Sequence, residues 1–142
     1  LFHVLRTRTP GPGEDVMARA EREMRARPAD VPLRMQFGEQ LERVGRITEA
    51  RKLFDDALRL DPKYARAIAA VARLQDREGR PEEARRTYRR AIEADPKAWY
   101  AVIELAKLLN KDGRSNEARV LLEQGLAASP GQPDLSEALG KK

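Results

Sequence analysis

Pro28, Pro62, Pro96 and Pro130 stand 34 residues apart, and Gly45, Gly79 and Gly113 keep the same step. So do Ala50, Ala84 and Ala118, each followed by an arginine: Arg51, Arg85 and Arg119. Written as blocks, the segments read GRITEAR (45–51), GRPEEAR (79–85) and GRSNEAR (113–119), with five of seven columns identical. Composition alone does not produce such agreement. A chain that repeats itself at this interval builds like units that cannot bury their apolar faces singly and stack to do so.

Within each block the apolar spacing is helical. Ile68, Val71 and Ala72 recur at steps of three and four and define one face of a first helix. Gly79 follows where a helix end favours a left-handed residue. The second helix carries Ala84, Tyr88, Ala91 and Ile92 on one stripe. The matching stripes are Ala50, Phe54, Ala57, Leu58 and Ala118, Leu122, Gly125, Leu126. Small residues there let helices approach, and the large one between them fills the gap. Asp61-Pro62 and Asp95-Pro96 are expected to restart the next helix, with Asp as cap and Pro in the first turn.

These residues resemble the tetratricopeptide repeat family. Its first-helix pair of a large apolar residue and a small one corresponds to Phe37-Gly38, Val71-Ala72 and Leu105-Ala106. Its small-large-small set corresponds to Ala50/Phe54/Ala57, Ala84/Tyr88/Ala91 and Ala118/Leu122/Gly125. The aromatic usual in the first helix is missing: those columns hold Arg34, Ile68, Val102 and then Leu41, Gln75, Leu109. The resemblance implies an all-α fold, a right-handed superhelical solenoid of antiparallel helix pairs. Three full units are expected at 31–64, 65–98 and 99–132.

The ends are atypical, as terminal repeats are. Stepping back one period from Gly45 reaches Gly11, and Val16, Ala20 and Met24 then form a stripe on a helix over about residues 14–27. Residues 1–27 read as a degenerate or truncated preceding repeat. Residues 133–142 start a capping helix, from Asp134 to Gly140. The chain opens on Leu1, so it reads as a piece of a longer protein. Leu1-Phe2-His3-Val4-Leu5 reads as a helix cut short in preference to the tail of a membrane anchor, and the compartment, cytoplasmic or periplasmic, stays open. The wealth of Arg and Ala suggests a GC-rich bacterial genome.

Composition removes most enzyme classes. Cys is absent, so disulfides, thiolate metal sites and a Cys nucleophile are excluded. The single His3 leaves nothing for a His cluster or a Ser-His-Asp site. No apolar run approaches the ~20 residues that span a bilayer. Of 142 residues, 36% are charged, and the net charge of +5 is spread along the chain and not gathered in a basic arm. No carboxylate pair sits in the apolar setting that acid–base chemistry needs. Glu82/Arg86 and Asp55/Arg59 instead read as i,i+4 helix support. No enzymatic activity, cofactor or metal is expected.

In the family, first helices line the concave wall. Steps of three and four place Arg66, Ala69, Arg73 and Asp76 on one line with Arg77 beside it. The matching lines are Pro32, Met35, Glu39, Glu42 and Tyr100, Ile103, Lys107, Asn110. The groove expected from them has an acidic first third, a basic middle and an apolar-to-basic end. The resemblance implies that it binds an extended or helical segment of a partner protein, and the charges favour a segment that is acidic beside an apolar anchor. Solvated helix face is the competing reading for the arginines, and core for Met35 and Trp99. Self-association through exposed repeat ends is also expected. An RNA-binding helical repeat is the alternative. That code needs equivalent polar residues in every repeat, whereas one inner column runs Glu39, Arg73, Lys107 and changes sign; nucleic acid is therefore not the expected partner.

Some tetratricopeptide domains grip the Glu-Glu-Val-Asp tail of heat-shock chaperones through a clamp of Lys, Asn and Arg. The corresponding columns here hold Met35, Glu39, Ala70, Tyr100 and Glu104, with two carboxylates and no cation. Calorimetry with such a pentapeptide is expected to show no binding; low-micromolar affinity would refute this reading.

Overall fold

The computed structural model describes residues 12–140, with side chains from Met17 onward; His3 and the Leu1–Leu5 segment lie outside them. Among the described residues all regular structure is α-helical. The helices are α1 (Pro12–Ala26), α2 (Val31–Arg43), α3 (Ile47–Leu60), α4 (Ala65–Arg77), α5 (Pro81–Ala94), α6 (Trp99–Lys111), α7 (Ser115–Ala128) and α8 (Pro133–Ala138). The chain divides between Leu60 and Asp61 into two compact units. In the first, α1 packs on α2 and α2 on α3. In the second, α4 packs on α5, α5 on α6 and α6 on α7, while α8 touches both α6 and α7.

Each column of the Gly-Arg-x-x-Glu-Ala-Arg block has a physical task. Gly45, Gly79 and Gly113 adopt φ of +83°, +76° and +76°, a region that costs a side chain strain and glycine nothing. That conformation turns the backbone so that Arg46 N–H donates to Leu41 O at 2.8 Å, Arg80 to Gln75 O at 3.0 Å and Arg114 to Leu109 O at 2.8 Å. Carbonyls left over at the helix end are thereby satisfied. With so short a turn, the two helices it joins must run antiparallel.

The first arginine of the block pairs with its glutamate across the opening turn of the second helix. Arg80 Nη1 lies 2.9 Å from Glu83 Oε2 and Arg114 Nη2 lies 2.8 Å from Glu117 Oε2. Arg46 and Glu49 form the same pair. The block's alanines, Ala50, Ala84 and Ala118, are buried in the seam between paired helices. Its last arginine, in the middle block, is Arg85. Only 12% exposed, it reaches Glu82 at 3.3 Å and Asp112, in the turn after α6, at 3.4 Å.

The stripes expected from periodicity form the core. Phe54, Tyr88 and Leu122 are buried between their small neighbours. Helix separation is set by the absence of side chains at two places: a Cβ on Gly38 would stand 2.5 Å from Phe54 Cε1, and one on Gly125 would stand 2.8 Å from Val102 Cγ1. Burying a side chain such as Phe37, Phe54 or Leu41 contributes about 1.5–3 kcal/mol relative to leaving it exposed, and these three are essentially inaccessible.

Three local expectations need correction. Asp61 and Asp95 do not cap α4 and α6. Their carboxylates instead accept from the N–H of Lys63 and Lys97, each at 3.0 Å, an Asx turn that satisfies Asp locally before the helix begins. Helices α4 and α6 accordingly start at Ala65 and Trp99 without a side-chain cap, while Asp30, followed by α2 directly, accepts from Leu33 N–H at 2.9 Å. The ion pairs also run differently: Glu82 meets Arg85, and Arg59 meets Asp56 at 3.2 Å, each three residues apart in place of four. Finally, the expected C-terminal helix, α8, is present but ends at Ala138 and not at Gly140.

Two stability predictions arise here. Gln75 occupies the column that holds the buried Leu41 and Leu109, and its Oε1 is buried with no hydrogen-bond partner among the described residues. Gln75→Leu removes an unsatisfied acceptor worth about 1–3 kcal/mol, so thermal unfolding should move up by about 3 °C or more; an unchanged or lower midpoint would contradict it. On α1, Ala20 is fully buried and Met24 half-buried, whereas the Val16 side chain lies outside those described. Deleting residues 1–27 takes α1 off α2, which should lower the melting temperature and promote self-association. A truncated chain that stays monomeric with unchanged melting would make the segment a mere linker.

Candidate functional site

Helix α6 is apolar on most of its circumference: Ala101, Val102, Leu105, Ala106, Leu108 and Leu109 are all buried, as contact with α5, α7 and α8 requires. What remains is the line Tyr100, Ile103, Lys107, Asn110. Tyr100 and Ile103 are half-buried, and Lys107 and Asn110 are exposed. The Tyr100 ring stands edge-on to Trp99, with centroids 5.9 Å apart and planes at 78°, a favoured geometry for two aromatic rings. Trp99 is itself half-buried. Lys107 keeps 68% of its side chain in water and pairs with Glu104 at 3.1 Å.

Helix α4 buries Ala65, Ala67, Ile68, Ala69, Ala70, Ala72 and Leu74. With so wide an apolar face, only a narrow strip reaches solvent. At about 100° per residue, Arg66, Arg73 and Arg77 fall within about 40° of one another. Arg66, Asp76 and Arg77 are exposed and Arg73 is half-buried. Helices α4 and α6 thus carry five cations, Arg66, Arg73, Arg77, Lys107 and Lys111, against Asp76 and Glu104, with an aromatic and an aliphatic surface on one line of α6.

Met35 and Ala69 do not belong to this surface. They occupy the same column and are 2% and 3% exposed. Steps of three and four placed them on a line with charged residues, but neighbouring packing wraps further around α2 and α4 than that line allows. In the first unit Glu39 is half-buried and Glu42 is buried. No helix among the described residues is long and apolar enough to cross a membrane.

The second unit also holds a cleft that the sequence did not single out. Its floor is Leu109 of α6, and its walls are Arg89 of α5 and Val120, Leu121 and Gln124 of α7, around about 350 Å³. The available signal was Val120, a large apolar residue off the core stripe of α7.

The tetratricopeptide repeat family matches the chain at residues 41–101 and 77–141. No curated protein matches the sequence. Among solved structures, YrrB, a TPR protein with an unusual peptide-binding site, superposes with a TM-score of 0.68 at 18% identity, covering 85% of this chain and 62% of YrrB. The thermophilic TPR protein TTC0263 of Thermus thermophilus gives a TM-score of 0.73 at 20% identity, covering 87% of this chain and 69% of that one. MamA gives 0.65 at 16% identity, with coverage of 92% and 82%. At such identities the likeness is one of fold.

Proposed function

Because the chain belongs to the tetratricopeptide repeat family, whose members are typically non-enzymatic scaffolds, we propose that it binds a partner protein through the exposed line of its first helices, taking a segment in which an acidic stretch adjoins an apolar anchor. The observation that carries this reading is the grouping on α6 of half-buried Tyr100 and Ile103 with exposed Lys107. Arg66, Arg73 and Arg77 add cationic charge on α4 of the same unit, and Asn110 extends the line on α6. Tyr100 supplies a large aromatic surface at low entropic cost. Exposed ion pairs contribute only ~0.2–1 kcal/mol each, so the anchor provides most of the affinity and the cations set orientation and encounter rate.

The partner class is tested by pull-down on the immobilised chain at low and high salt, with a peptide library of mixed acidic and apolar sequences in one arm and single-stranded RNA in the other. Retention of acidic-apolar peptides supports the reading; retention of RNA alone overturns it. For a partner so identified, the charge reversal Arg73→Glu with Lys107→Glu should slow association and flatten its salt dependence. Tyr100→Ala should instead speed dissociation, by about tenfold for a contact worth 1.4 kcal/mol. If the double reversal leaves binding and its salt response untouched, the partner sits on another surface.

A further inference from the structure

Val120 has 48% of its surface in water. Singly exposed aliphatic residues are ordinary, but this one rims a concavity with half-buried Leu121 and buried Leu109. A space of about 350 Å³ is at the small end for ligand sites. It accommodates one or two aliphatic side chains against Leu109, Val120 and Leu121, and Arg89, Asn116, Glu117 and Gln124 complete its lining.

What adjoins the cleft defines its occupant. Arg89 is also a wall of a neighbouring cleft formed with Arg85, Arg86, Arg114 and Glu82. The carboxylates around these arginines are Glu82 and Asp112, both on Arg85, and Glu117. Asp112 also reaches Arg114 at 4.0 Å. Glu117 is held by Arg114 at 2.8 Å and stands 3.8 Å from Arg89. Four guanidinium groups thus face three carboxylates. The surplus lies on α5: Arg86 is exposed and no carboxylate among the described residues is seen to pair with it, and Arg89 has only the long contact. Three residues apart, the two stand on one face of α5, and each guanidinium carries the fork of donors that suits a carboxylate.

We propose that the cleft between α5 and α7 docks a short acidic segment of a partner protein, with an aliphatic side chain of that segment against Val120, Leu121 and Leu109 and its neighbouring carboxylates on Arg86 and Arg89. This surface is separate from the line on α4 and α6 and does not depend on it. Nucleic acid fits it poorly, because no aromatic ring lines the cleft to stack a base.

The test uses the full chain, isotopically labelled, and a decapeptide of glutamates around a central Leu-Leu pair, with two controls: lysines for the glutamates, and serines for the leucines. The glutamate-leucine peptide should shift the amide resonances of Arg89, Val120, Leu121 and Gln124, and both controls should bind at least tenfold more weakly. Val120→Lys, at an exposed position, and Arg86→Glu with Arg89→Glu should each raise Kd at least tenfold while melting remains cooperative. Lys52→Glu, at an exposed position on α3, should leave it unchanged. Shifts confined to α4 and α6 would overturn this proposal while leaving the preceding one standing. Absence of binding, equal binding of the lysine peptide, or a concentration-dependent dimer abolished by Val120→Lys in place of peptide binding would also overturn it.

Discussion

The distance between paired helices governs everything else in this molecule. Where Phe54 meets Gly38 and where Val102 meets Gly125, one partner has no side chain to give. An aromatic or branched residue on one helix therefore rests against the backbone of the other. The remaining seam positions, Ala50, Ala57, Ala84, Ala91 and Ala118, hold the same close approach with a single methyl group. Once the spacing is set, the glycine turns, the arginine–glutamate pairs and the exposed strips take their places by repetition.

The close seam also accounts for how functional surface arises. Helix α4 buries alanines on most of its sides, so whatever reaches solvent is confined to a thin strip, and the strip is arginine-rich. Helix α6 is wrapped by larger residues and leaves Tyr100 and Ile103 half in water. Within the second unit the arginines are thus concentrated on the thin strip of α4, while exposed apolar area falls on α6 beside Lys107.

Much of this was legible in the sequence because identical columns carry identical backbone tasks. Gly45, Gly79 and Gly113 announced the turns, and the seam stripes announced the core. What escaped had local causes. An aspartate before a proline is compatible with both a helix cap and an Asx turn, and only the number of residues between Asp61 and the helix start separates them. Met35 and Ala69 share a line with polar residues, yet burial depends on how far neighbours wrap around the helix, which periodicity on one helix does not encode. The arginine–glutamate pairs escaped as well, because i,i+3 and i,i+4 partners lie on the same helix face and periodicity does not choose between them. The cleft beside Val120 takes its floor from α6 and its walls from α5 and α7, so no single stretch of sequence contains it.

The seam has a consequence for inheritance. At Gly38, Gly125 and the seam alanines, almost every codon change enlarges a side chain where there is no room, so selection acts on those few positions with little tolerance. The solvent-facing residues of α4, α5 and α6 lie off the glycine and alanine seam. These arginines, lysines and aromatic residues are free to drift, and a lineage can rewrite what the protein recognises, one surface residue at a time, while every intermediate still folds.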